Sequence, residues 1–397
     1  MHKKRKKKKQ IKQLLLSIIL LMIAGGTYYF VNQNNQLTTE KPKEIIKKEN
    51  KMKDTDIKNS IFKDYYEKAL KIVDKMTVEE KIGQLFLVRY NKNNLDVQKK
   101  YFPGGYILFA KDFVNHTKES IKQEIDNNQK INKYPLIIGV DEEGGTVTRV
   151  SRYPSFRKER FQSPRYYYEQ GGYDLLEKTE TEKLILLKEL GINLNLAPVA
   201  DVPSNENDFI YNRAFGKNAK ETSIFVEKMV EYANKNHINS CLKHFPGYGN
   251  NKDTHTGIAI DNRSYESFLE NDYLPFKSGI NANVPSILVS HNIVNSIDKD
   301  SPASLSNKVI KELRENLGFT GIIMTDDLAM EAVKSYVDNN EAATKAINAG
   351  NDMIITSDFI EMYQELQQSI ANKKIKEETI NKAVLRIIAW KYYSNLF

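Results

Sequence analysis

Eight short apolar or β-rich runs recur along one stretch of this 397-residue chain, with helical stretches between them. They are Gln84–Val88, Tyr106–Phe109, Leu136–Val140, Leu194–Val199, Ser240–Phe245, Ser286–Ser290, Gly321–Thr325 and Met353–Thr356. Strands covered by helices are buried on both faces, so they read as nearly continuous apolar runs rather than alternating ones. Helical spacing appears in Thr117–Asn132, Glu177–Gly191, Ser223–Asn236, Asn307–Leu317 and Asn339–Asn348. The pattern predicts a parallel α/β sheet, either closed as a (β/α)8 TIM-type barrel or open and doubly wound. The placement of polar residues chooses between these. The runs end on Asp141, Asp201, Lys243 with His244, His291, Asp326 with Asp327, and Asp358. Polar groups converging on one rim, at the C-terminal ends of the strands, are what a barrel requires. After the eighth run only about forty residues remain, enough for a closing helix at Glu378–Tyr393 and too few for a second domain.

The single catalytic domain is placed at residues 61–397. Phe62–Met76 reads as an amphipathic helix, and Thr77-Val78-Glu79-Glu80 is a capping box that opens the next. Upstream, residues 1–13 are a basic stretch expected on the cytoplasmic side, 14–31 a charge-free apolar segment, and 32–60 a flexible polar linker. At the rise of a helix the apolar segment reaches roughly 27 Å, close to the hydrocarbon thickness of a bilayer. It is expected to be a single-pass transmembrane anchor, with Tyr28, Tyr29 and Phe30 at the interface and the domain outside the cytoplasm. Cleavage as a signal peptide near Ala24-Gly25-Gly26, giving a secreted protein, is the alternative.

The formal charge of +8 suggests a polyanionic partner until its location is considered. Lys3, Lys4, Arg5, Lys6, Lys7, Lys8, Lys9 and Lys12 account for all of it, so the remainder is neutral and no nucleic-acid partner is expected. Cys241 is the sole cysteine, which excludes an intramolecular disulfide and a cysteine-built zinc site. It is expected to be a small buried residue of the fifth strand.

Three segments carry chemistry: Asp141-Glu142-Glu143-Gly144-Gly145-Thr146-Val147-Thr148-Arg149, then Lys243-His244-Phe245-Pro246-Gly247-Tyr248-Gly249 leading to Asp253-Thr254-His255, and Thr325-Asp326-Asp327-Leu328. Together, and in this order from about Met76 to the C-terminus, they resemble glycoside hydrolase family 3, specifically its single-domain β-N-acetylglucosaminidases. The resemblance implies a retaining β-N-acetylhexosaminidase acting on terminal β-linked N-acetylglucosamine. A retaining glycosidase needs one carboxylate beside the anomeric carbon and one acid/base for the leaving oxygen. The resemblance assigns the first role to Asp326 and the second to His255, held by Asp253. Imidazole titrates near neutrality and an adjacent carboxylate stabilises its charged form, so it can serve as acid and then as base. Asp327, one step nearer the following helix, is the better candidate for an N-cap.

The resemblance further implies that Asp141, Arg149, Arg213, Lys243 and His244 bind the sugar. His291 is assigned either a substrate contact or a hydrogen-bonded place in the rim. The chain departs from the family pattern at Thr254, at Ala214 after Arg213, and at Tyr248 where a His is common. Gly144 and Gly145 are expected to permit a tight turn. Trp390 and the tyrosines, including Tyr166, Tyr167 and Tyr168, are expected to pack rather than to bind sugar.

No metal and no organic cofactor is expected, and the domain is read as a monomer. Two rivals remain. A metal-dependent hydrolase could use His244, His291 and Asp358, but lacks the His-x-His pair that such barrels carry on their first strand. A cell-wall glycan-binding module without activity would suit a tethered domain. The anchor and the resemblance together suggest peptidoglycan-derived fragments as substrate. A neutral imidazole base does not repel phosphate, so the sequence leaves phosphorolysis open beside hydrolysis.

Overall fold

The computed structural model describes residues 60–94, 96, 100–251, 257–337 and 341–397. The expected anchor, most of the expected linker, and Asp253 with His255 lie outside the described residues. Among the described residues no helix is long and apolar enough to cross a membrane.

Eight parallel strands form one sheet in the order β10-β1-β2-β3-β4-β5-β7-β9. They are β1 (Phe86–Arg89), β2 (Gly105–Leu108), β3 (Ile137–Val140), β4 (Leu194–Asn195), β5 (Asn239–Phe245), β7 (Ser286–Val289), β9 (Ile322–Thr325) and β10 (Ile354–Thr356). The sheet closes on itself: Met324 bridges Met353 in parallel, and the Thr325 amide donates to the Met353 carbonyl at 3.1 Å. Closure selects the barrel over the open sheet. A separate parallel pair, β6 (Ile260–Asp261) with β8 (Ile293–Val294), lies beyond the ends of β5 and β7. Nothing in so short a pair marks it in the sequence.

All eight expected strands are present within about two residues, save the fourth. There the ladder covers Leu194–Asn195 only. Pro198 has no N–H to donate, so pairing resumes singly, where Val199 bridges Lys243. Helix α1 (Tyr66–Val73) is shorter than read, and α2 (Val78–Gln84) starts at the Thr77 capping box. Between the strands run α3 (Lys118–Ile131), α4 (Pro164–Glu189), α5 (Ala219–Asn236), α6 (Tyr273–Asn281) and α7 (Ala342–Ala349). The chain ends with α8 (Phe359–Ala371) and α9 (Glu377–Tyr393). Helix α4 begins well before the predicted Glu177, because Ser163 caps it and Pro164 supplies the first position. Gly171 and Gly172 break it internally, which hides the helical period of its first half. The predicted Asn307–Leu317 helix is a short α-helix, Asn307–Lys311, followed by the π-helical Glu312–Asn316.

Helix α9 closes the end of the barrel opposite the candidate site. Trp390 is fully buried and donates from its indole to the Asn239 side chain at 2.8 Å. Lys391, equally buried, donates to the Gln84 side chain at 2.6 Å. The outer core lies between α5, α6 and the strands they cover, where Phe215, Phe225, Phe245, Phe268 and Phe276 are all buried. Cys241 is buried in β5 as expected, a free thiol pushed up to about 12 chiefly by burial.

Candidate active site

The C-terminal ends of β3, β4 and β5 deliver a continuous chain of charged groups. Asp141 follows β3 directly. Its carboxylate accepts from the Lys243 ammonium at 2.7 Å and faces the Arg149 guanidinium at 3.7 Å. Lys243 in turn meets the Glu143 carboxylate at 2.6 Å. Arg213 forks onto the same carboxylate, from Nε at 3.1 Å and from a terminal nitrogen at 2.8 Å. The terminal nitrogen also lies 3.1 Å from Nε2 of His244, whose Nδ1 is 2.8 Å from Asp201. All five residues assigned to sugar binding are thereby brought together.

The electrostatics follow from burial and pairing. Burial alone would raise the Glu143 carboxyl, but Arg213 and Lys243 hold it well below the usual carboxylate range. Burial would depress Lys243, yet Asp141 and Glu143 keep its ammonium above its ordinary value. Arg213 cannot accept a hydrogen bond, so Nε2 of His244 must accept and Nδ1 must carry the proton given to Asp201. This arrangement therefore fixes the tautomer of His244.

Two members of the chain were not assigned roles from sequence. Glu143 is the hub of the charge network, and Asp201 orients His244 while also accepting from the His244 amide at 3.1 Å and the Tyr248 amide at 2.8 Å. Their only signals were a place two residues after Asp141 and a place just after the fourth run. Glu142 accepts from the amides of Arg149, Val150 and Ser151, shaping the loop that presents Arg149. Gly144 and Gly145 take positive φ in that turn, and a Cβ on Gly144 would sit 2.4 Å from the Gln162 carbonyl oxygen.

Asp326 follows β9. Its amide donates to the Val289 carbonyl at 2.9 Å, and its Oδ1 accepts from the Asp327 amide at 2.8 Å. Asp326 follows β9 as Asp141 follows β3, and Lys243 lies near the end of β5, so in a sheet of parallel strands all three stand at the C-terminal end of the barrel. Asp327 accepts from the Ala329 amide at 2.9 Å and from Ser357, so it braces the turn rather than capping the Glu331–Lys334 helix, whose cap position is Met330. His291 is completely buried, with Nδ1 2.7 Å from the Ser304 hydroxyl and Nε2 3.1 Å from the Asp327 carbonyl. Its two ring nitrogens thus tie the end of β7 to the Ala303–Leu305 turn and to the turn after β9, a hydrogen-bonded place in the rim.

Tyr248 packs its ring edge-on against His244 at 5.0 Å and against Phe209 at 5.8 Å. Ala214 lies in the same buried cluster with Val199 and Ile210, so a methyl group suits the position. The rival metal ligands are otherwise engaged: His244 and His291 as above, and Asp358 with Lys334 at 3.0 Å. A cleft of about 410 Å³, lined by Arg89, Phe109, Ala110, Lys111 and Arg149, reaches the network through Arg149.

A closed parallel barrel with carboxylates, lysine and arginine gathered at its C-terminal rim defines an α/β-barrel enzyme. Residues 77–390 match the model of the glycosyl hydrolase family 3 N-terminal domain, and the chain belongs to that family as a glycosidase. A protein of Methylobacillus flagellatus named β-hexosaminidase is 30% identical over 283 residues, covering 68% of this chain and 77% of that protein. The β-N-acetylhexosaminidase structure from Beutenbergia cavernae superimposes with a TM-score of 0.72 at 25% identity, covering 80% of this chain and 99% of that one. A family 3 β-N-acetylglucosaminidase from Paenibacillus gives a TM-score of 0.75 at 24% identity, covering 81% of this chain and 63% of that one.

Proposed function

We propose that the protein is a retaining β-N-acetylhexosaminidase that hydrolyses terminal β-linked N-acetylglucosamine through a covalent glycosyl-aspartate. The observation that carries this reading is that Asp326 and the Asp141–Lys243–Glu143–Arg213 network both stand at the C-terminal end of the barrel. The network is paired and largely buried, which suits a site that recognises hydroxyl groups by fixed donors and acceptors. The names of the relatives support the acetamido sugar.

In the first step Asp326 attacks the anomeric carbon, the glycosidic C–O bond breaks, and the leaving oxygen takes a proton from His255. In the second, His255 takes a proton from water, the hydroxide attacks the same carbon, and Asp326 is released. Asp253 holds the imidazole and stabilises its charged form. The apolar 14–31 segment supports an anchor holding the domain outside the cytoplasm, where peptidoglycan-derived glycans would be the substrate.

The test is hydrolysis of a chromogenic β-N-acetylglucosaminide by the full-length chain, beside the matching β-glucoside and an Asp326→Asn variant. Activity on the acetamido sugar should fall about 1,000-fold or more in the variant, which corresponds to about 4 kcal/mol of lost barrier lowering. A folded wild type inactive on both sugars would favour the binding-module reading.

A further inference from the structure

Arg89, Phe109 and Arg149 come from the ends of three successive strands, β1, β2 and β3, and meet in the cleft beside the charge network. The Arg89 guanidinium lies 4.4 Å from the centre of the Phe109 ring, and that of Arg149 lies 5.4 Å from it. Arg89 is committed to its surroundings: it donates to Asp112 at 2.6 and 3.2 Å and to the Tyr90 carbonyl at 2.8 Å. Asp112 also accepts from the Phe109 amide at 2.7 Å, so one carboxylate fixes both the backbone that bears the ring and the cation beside it. Arg149 is held differently. Its amide donates to Glu142 at 2.7 Å, but its guanidinium comes no nearer to Asp141 than 3.7 Å, beyond hydrogen-bond distance. Its Nε is buried and meets no hydrogen-bond partner among the described residues. Lys243 and Arg213, by contrast, commit their donors to Asp141 and Glu143. Buried donors ordinarily have partners, and an aromatic face attracts a cation without occupying any N–H. Arg149 is therefore the cation of this network with uncommitted donors, and Phe109 supports its head group without consuming them.

We propose that Phe109 is a positioning residue for substrate binding: its ring, fixed by Arg89 and Asp112, holds the Arg149 guanidinium and leaves the uncommitted N–H groups for the bound sugar. The proposal rests on the reading of Arg149 as a sugar-binding residue. Leucine would fill much of the same apolar space without the ring quadrupole that attracts a cation, whereas tyrosine would keep it. A loss that follows the aromatic face, and that exists only while Arg149 is present, separates positioning from mere packing.

The test is a double-mutant cycle on the full-length chain, reading kcat/KM on 4-nitrophenyl β-N-acetylglucosaminide. Arg149→Ala should lose about ten-fold or more, the effect of removing hydrogen bonds from a charged donor. Phe109→Leu should lose about three- to thirty-fold in the wild-type background. In the Arg149→Ala background the same change should cost less than about two-fold, because the group it positions is gone. Phe109→Tyr should stay closer to the wild type than Phe109→Leu does. A loss below about two-fold in the wild-type background, the same loss in both backgrounds, or a tyrosine variant as impaired as the leucine one overturns the proposal. If Phe109→Leu does not fold, Phe109→Met carries the same comparison. An undiminished Arg149→Ala would instead overturn the sugar-binding reading of Arg149, and the proposal with it.

Discussion

Glu143→Gln tests whether the charge chain is a coupled unit. Glu143 holds Arg213 by two contacts of 3.1 and 2.8 Å and Lys243 by one of 2.6 Å, all buried. Glutamine keeps the shape but offers one acceptor oxygen and turns an NH2 group toward a cation. Lys243 retains Asp141 at 2.7 Å, so Arg213 is the group left short. Breaking a buried pair typically costs about 3–5 kcal/mol, and the surviving contact places this case near the lower end, about 3 kcal/mol. For a domain of this size that lowers Tm by about 4 °C. Thermal unfolding followed by circular dichroism measures it. In a double-mutant cycle with Arg213→Met, the combined loss should fall short of the sum by about 1 kcal/mol or more. A Tm change below about 2 °C, together with additivity within about 0.5 kcal/mol, would refute the network as described.

Lys391 offers a pH test. Burial alone holds its ammonium down to about 7, against about 10.4 when unfolded. A depressed folded-state value means that stability is fully present above the unfolded value and is lost as pH falls toward 7. Relative to Lys391→Met, the wild type should gain about 1.4 kcal/mol per pH unit between about pH 7.5 and 9.5; parallel denaturation midpoints for the two proteins across that range would contradict it. Thr77→Ala removes a capping box in which the Thr77 hydroxyl accepts from the Glu80 amide at 3.3 Å and Glu80 accepts in return at 3.1 Å. It should cost about 1 kcal/mol in urea unfolding with unchanged kcat/KM; a large activity loss would mean the cap communicates with the site.

The eight strands and the helix starts at Thr77 and Thr117 are local properties, set by apolar run length and by side chains within a few residues of the backbone they satisfy. The sequence alone therefore determined the strand order along the chain and the polar rim, and motif resemblance singled out Asp326 and the five residues that the structure gathers into one network. Helix α4 and the fourth strand were misjudged where a glycine pair and a proline interrupt the period. Only the tertiary structure decided how the rim is wired. Glu143 and Arg213 are 70 residues apart, and Asp201 and His244 are 43 apart. No local pattern states which of the many charged residues will meet. Barrel closure and the tautomer of His244 arise the same way, because burial makes each polar group find a partner wherever the fold brings one within reach.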